Sequence, residues 1–179
     1  ADIEIRFRHP RSNARCRLDW AVPNDKMPDA QRLMERAVND GTKIFIIQSA
    51  DEWSEFIAVN SKAVFKDKFF VGTNWLGGVM FNKPHDIFKE LPVGNALNWP
   101  YQALIHTGVE RMGLVMEGEE LLVGAYHTYP MAIGTAMGIV PMGKGSVLFS
   151  TLDIYGNIIN DSAAGLVAKK LIFNMIDFK

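Results

Sequence analysis

Cysteine is nearly missing from this sequence: Cys16 is the single thiol among 179 residues. One cysteine excludes an intrachain disulfide framework and any metal site built from several thiolates, while leaving the compartment open. No apolar run approaches the ~18 residues that a membrane span requires, and neither a low-complexity segment nor a signal peptide is visible. An excess of either charge is missing as well. Lys and Arg number 19 and Asp and Glu 20, for a formal net charge of −1, so no basic field marks nucleic acid as the main partner. Only Arg6, Arg8, Arg11, Arg15 and Arg17 cluster, and they read as a solvated face or as a surface that docks a neighbouring domain. The four histidines, His9, His85, His106 and His127, are widely separated, and none stands at i, i+4 from another histidine. No metal and no cofactor are expected.

What is present suffices for one domain. The length suits the usual ~100–200 residues, and 48% hydrophobic with 11% aromatic residues can build a core. Ile3, Ile5 and Phe7 alternate with charged residues as a strand does. From Pro28 the apolar stripe Ala30, Leu33, Met34, Ala37, Val38 predicts a helix, ended by Asn39-Asp40-Gly41. Lys43 to Gln48 reads as a strand buried on both faces, the pattern of a parallel sheet. A second helix follows to about Val59, with Trp53, Phe56 and Ile57 facing inward, and Ala63 to Val71 is a strand or an irregular apolar segment. Gly72 to Gly78 and Asn98 to Tyr101 read as aromatic loops, and 84–89 as one or two helical turns stopped by Pro92.

Leu114–Met116 and Leu121–Tyr126 flank Glu117-Gly118-Glu119-Glu120 and predict a β-hairpin. Met137–Val140 and Val147–Leu152 are strands joined by the tight turn Gly143-Lys144-Gly145. Asn160, Asp161 and Ser162 are suited to cap a last helix to Asp177, with Leu166, Leu171, Ile172, Met175 and Ile176 inward. Helix, buried strand and helix in succession point to α/β layers. No internal repeat or linker divides residues 1–179, and 1–27 reads as an irregular start.

The chemistry-bearing residues form no reactive set. Cys16 lacks a glycine-flanked elbow and reads as a bystander thiol. His127 has no carboxylate two residues on, and reads as a packed strand end. Glu117, Glu119 and Glu120 belong to the expected turn, where water keeps them ordinary carboxylates. Asp153 follows a buried strand at its carboxyl end, where α/β folds place ligands. It has no evident carboxylate partner and suits orienting the next loop. Trp75, Trp99, Tyr101, Tyr126 and Tyr129 lie in or beside loops, with Asn74, Asn98 and His127 nearby in sequence, and together with Asp153 they are the candidates for recognition. Aromatic faces beside amides suit sugar rings, and they suit a domain interface equally well.

Several short elements occur in a common order: Val38 to Gln48, His85 to Val93 ending in Leu-Pro-Val, Asn98-Trp99-Pro100-Tyr101-Gln102, Gly134-Thr135-Ala136, Pro141 to Gly145, and Ser150 to Ile154. In that order and spacing, Pro28 to Phe178 resembles the carboxy-terminal domain of bacterial glycoside hydrolases of family two, the β-galactosidase-like exo-acting enzymes. That domain is similar to a class I glutamine amidotransferase without its active site. The resemblance implies a three-layer α/β fold, amidotransferase-like or flavodoxin-like, with a mostly parallel sheet and helices on both faces. It also implies a non-catalytic accessory domain whose parent cleaves sugars with carboxylates in a separate barrel. Its partners would be the other domains of that hydrolase, carbohydrate, and a second copy through the parent. The start at Ala1 without Met, and the stop one residue past a helix, suit a domain cut from a larger protein. Carbohydrate binding by the aromatic loops and a stand-alone small hydrolase are the alternatives.

Overall fold

Alternation along one short strand organises the fold. In β2 (Lys43–Ile46) and the residue after it, Ile44 and Ile46 join one apolar cluster while Phe45 and Ile47 join another. Successive side chains of a strand point to opposite faces, so β2 has a core on each side. The computed structural model describes residues 3–5, 27–71, 78–94, 96, 97, 99–106, 112–128 and 131–178. The arginine cluster, Phe7, Cys16, Trp75, Asn98 and Tyr129 lie outside them.

One face carries α1 (Met27–Asp40) and α2 (Ala50–Val59). Leu33, Met34 and Ala37 of α1 and Ala50 and Ile57 of α2 pack on Ile44, Ile46, Val147 and Phe149. Each Leu, Ile, Val, Phe or Met side chain so removed from water contributes ~1.5–3 kcal/mol. Trp53 and Phe56 are half-buried against this cluster, whereas Val38 is exposed. The other face carries α3 (Gln102–His106), α4 (Ile154–Ile158) and α5 (Ala163–Asp177), with Val167, Ala168, Leu171 and Met175 of α5 packed inward. Leu166, expected inward, is 65% exposed, and Ile176 is exposed too. The buried arc of α5 instead includes Asn174, whose amide donates to Ile87 O and Lys89 O at 2.9 Å each. Ser162 alone supplies the expected cap, accepting from Gly165 N–H at 3.2 Å.

Among the described residues the sheet has eight strands and is mixed, not mostly parallel. β1 (Ile3–Ile5), β2 and β8 (Gly145–Ser150) run parallel, and the remaining pairings are antiparallel. The long strand β7 (Ala132–Met142) explains this. It forms the expected tight hairpin with β8 at Met142↔Gly145, and along its other edge it takes β6 (Glu120–His127), from Glu120↔Ile139 to His127↔Ala132.

The predicted hairpin between β5 (Met112–Glu117) and β6 does not form. β5 pairs instead with β3 (Val64–Phe70) from Phe70↔Met112 to Val64↔Glu117, and meets β7 through Leu114↔Thr135, while β6 pairs with β7 and β4 (Gly78–Asn82). Local contacts at the turn account for the divergence. Gly118, at φ 89°, sits against Ala63, and Lys66 pairs with Glu117, which ties the end of β5 to β3. Glu119 accepts from Thr135 Oγ1 at 2.7 Å, which draws the start of β6 to β7.

β3 is a strand, as one reading of 63–71 had it, but an edge strand. Its Lys66-Asp67-Lys68 stretch is half to fully exposed, and charges of this kind discourage pairing with foreign chains. β4 was not foreseen, because Val79, Met80 and Phe81 follow directly on a glycine-rich stretch. Three strand glycines lie under phenylalanines directly across the ladder: Gly113 under Phe69, Gly124 under Phe81 and Gly138 under Phe149. Each ring fills the space a side chain would take, a pairing that keeps glycine in a strand without leaving a void.

Candidate functional site

The two aromatic loops have different fates. Asn98 to Tyr101 is no loop at its end: Trp99–Tyr101 is a 3-10 turn that runs directly into α3. That turn delivers Tyr101 to the core, where it is 1% exposed. The Tyr101 hydroxyl donates to Pro92 O at 2.7 Å and lies 3.3 Å from Asn82 Nδ2, which itself donates to Pro92 O at 2.9 Å. Burial pushes the Tyr101 hydroxyl up to about 12, against a smaller downward effect of Asn82. Burial so complete leaves no ring face for a ligand, and Tyr101 is a pillar joining β4, the Leu-Pro-Val segment and α3. Trp99 lies in the same turn, and Trp75 falls outside the described residues.

Asp153 caps a helix. Its carboxylate accepts from Gly156 N–H at 3.0 Å and from Asn157 Nδ2 at 3.2 Å, and its own N–H donates to Leu104 O at 2.9 Å. The carboxyl end of β8 is thereby fastened to α3 and turned into α4. Thr151, just before it, directs its hydroxyl at Met112 O, 2.8 Å away, and at Ala136 O, 3.1 Å away, joining the end of β8 to the interior of β7 and the start of β5.

Tyr126 and His127 close β6 and point to opposite faces. His127 Nδ1 is buried without a hydrogen-bond partner among the described residues. Tyr126 is half-buried in a cross-strand row with Val79 of β4 and Ile133 of β7. Phe81 continues that face two residues along β4, and Met131 stands just before β7. Val79 and Phe81 are exposed, Ile133 is 67% exposed and Met131 76%. The structure therefore brings Tyr126 into an apolar sheet face that carries neither Tyr101 nor Asp153.

The carboxylates near the β5–β6 turn are engaged one by one. Glu117 pairs with Lys66, Glu119 accepts from Thr135, and Glu120 lies 3.6 Å from Lys83 Nζ and 3.7 Å from His85 Nε2. Among the described residues each of the three is thus held by different groups.

One feature escaped the sequence reading. Ser49, between β2 and α2, takes the left-handed conformation at φ 54° and ψ 36°, and its hydroxyl makes no capping bond. A strained strand-to-helix turn is where hydrolases hold a nucleophile, which also needs an adjacent base. Among the described residues no imidazole is hydrogen-bonded to Ser49. Neighbouring Gln48 has a buried Oε1 without a partner. No sequence signal marked this turn, because the glycines that usually flank such an elbow are replaced by Ile47 and Asp51.

No known family profile matches this chain, and no curated protein matches it. Among solved structures, it is similar to a β-galactosidase from Rahnella sp. R3, with a TM-score of 0.41 and 11% identity. The match covers 83% of this chain and 20% of that one, so the chain spans about a fifth of that enzyme's length.

Proposed function

We propose that this chain is a non-catalytic accessory domain of a β-galactosidase-like glycoside hydrolase, built on an amidotransferase-like scaffold, and that it packs against the rest of that enzyme. The observation that carries the packing role is the apolar sheet face of Val79, Phe81, Tyr126, Met131 and Ile133. Contiguous apolar surface of this kind suits cover by another protein surface, and here the parent hydrolase supplies it. A second observation supports the absence of chemistry of its own. The motif residues Tyr101, Thr151 and Asp153 direct their polar atoms into bonds that hold strands and turns together.

The native reading frame around the segment is the first test. It should extend by several hundred residues that include a barrel-sized region, and a frame beginning near Ala1 would overturn the reading. With the remainder expressed separately, Ile133→Glu with Met131→Glu should weaken its association with this domain at least tenfold. Exposed positions of this kind shift a domain's own stability by about 0.5 kcal/mol or less. Unchanged association would remove this face as the contact.

A second reading, carbohydrate binding, is favoured by one observation: Tyr126 stands half-exposed in that apolar row, as an aromatic under a sugar ring would. Trp75, Trp99 and His127 are the other residues it would use. Oligosaccharide should then shift tryptophan fluorescence, and Trp75→Ala or Trp99→Ala should abolish the shift. A flat titration of the unsubstituted chain rejects this reading and leaves the packing role standing.

A further inference from the structure

His85 sits where three elements meet. Its Nδ1 accepts a hydrogen bond from Ile87 N–H at 3.2 Å, capping the 3-10 turn Asp86–Phe88. Its ring lies 5.0 Å from that of Phe178, the residue that closes α5. Phe178 is also held by Lys43 of β2, whose Nζ donates to Phe178 O at 2.6 Å and stands 4.8 Å from the ring centroid. Asn174, one turn earlier in α5, binds Ile87 O and Lys89 O of the same capped turn. The end of α5 therefore rests on His85 twice, through a ring contact and through the turn the imidazole caps.

The hydrogen bond fixes the protonation state. A nitrogen that accepts from an amide carries no proton, so the ring is neutral with its proton on Nε2. A second proton can enter only at Nδ1, where it would face the Ile87 N–H donor to donor. The charged groups around the ring do not hold it there. Glu120 of β6 lies 3.7 Å from Nε2, but it is half-exposed and shares its Oε1 with Lys83 at 3.6 Å. An exposed, shared carboxylate contributes little. Asp86 follows on the same turn, Lys43 is engaged with Phe178, and Glu90 is paired with Lys170 of α5.

We infer that His85 is a proton-operated latch: with a neutral ring it caps the Asp86–Phe88 turn, and a second proton at Nδ1 releases that cap and loosens the turn on which Asn174 anchors the end of α5. The cap is complete while Nδ1 is bare and is lost as pH falls.

The test is amide hydrogen exchange and NMR on the full chain from pH 8 to pH 5, corrected for intrinsic exchange. Protection of Ile87 N–H should fall about tenfold as the ring titrates, the size expected for losing a helix-type cap, with Phe178 N–H following. His85→Asn retains a capping oxygen that does not titrate, so its Ile87 protection should stay flat. Constant protection while the His85 ring titrates, or an equal fall in His85→Asn, overturns the latch. Should that variant fail to fold, ring nitrogen shifts of the unsubstituted chain decide: at pH 8 the proton must reside on Nε2, and finding it on Nδ1 sinks the proposal.

Discussion

Replacing Tyr101 with alanine is expected to lower the unfolding free energy by about 3–5 kcal/mol, the range for removing a large buried aromatic. The loss has two sources. A cavity opens in the cluster that contains Phe88, Leu97, Leu104 and Leu122, and Pro92 O and Asn82 Nδ2 lose the hydroxyl between them. Tyr101→Phe separates the two, since it keeps the ring and leaves the buried polar groups short of a partner, at about 1–3 kcal/mol. The hydroxyl also makes a pH prediction. Its value of about 12 in the fold stands above the ordinary phenol value of 10.0. Below pH 10 the phenol is neutral in both states and its contribution is fully present. Between pH 10 and 12 the unfolded chain gives up the proton while the folded chain keeps it, and stability drains away by roughly 2–3 kcal/mol. Urea midpoints at pH 8 rank the three proteins. A series from pH 9 upward should then show the gap between the unsubstituted chain and Tyr101→Phe closing. Parallel pH curves would show that burial does not hold this proton.

The second large effect has a sign opposite to what the sequence suggests. Gly165 lies in the first turn of α5, and glycine to alanine within a helix ordinarily gains about 1 kcal/mol. Here a Cβ would stand 1.8 Å from Asn160 O, 2.7 Å from the same carbonyl carbon and 3.1 Å from Asn157 O. These are backbone atoms, and they cannot step aside as a flexible side chain would. Asn160 N–H is bonded to Asn157 O, and Ser162 caps α5 directly afterwards. Gly165→Ala must therefore move α5 away from α4. A net loss of about 2–3 kcal/mol is expected, the usual size of overpacking, read as a lower denaturant midpoint with an unchanged slope. A gain in stability would mean that the α4–α5 junction yields more readily than its hydrogen bonds imply.

Periodicity made the scaffold legible. The stripe Ala30, Leu33, Met34, Ala37 specified α1 because four residues at helical spacing bury only as a helix. The apolar run Ile44 to Ile47 specified a strand with a core on both sides, and Gly143-Lys144-Gly145 specified the β7–β8 hairpin. The cap at Ser162 was readable too, because a side-chain oxygen before an apolar helix has one obvious amide to serve.

What the sequence determined by itself was thus local: which segments are helix or strand, where several of them end, and the residue types that exclude thiolate-cluster chemistry. Apart from the β7–β8 hairpin, tertiary structure decided which strand lies beside which. β5 and β6 looked like a hairpin because they are adjacent in the chain, yet β3, far back in the sequence, competes for β5, and the following strand β7 competes for β6. That competition is settled by packing at Ala63, Thr135 and Lys66, which leaves no trace in local spacing. Tertiary contacts likewise turned Tyr101 from a loop aromatic into a buried pillar and Asp153 from a ligand candidate into a helix cap. A phenol or a carboxylate takes its role from the partner atoms that long-range folding brings to it.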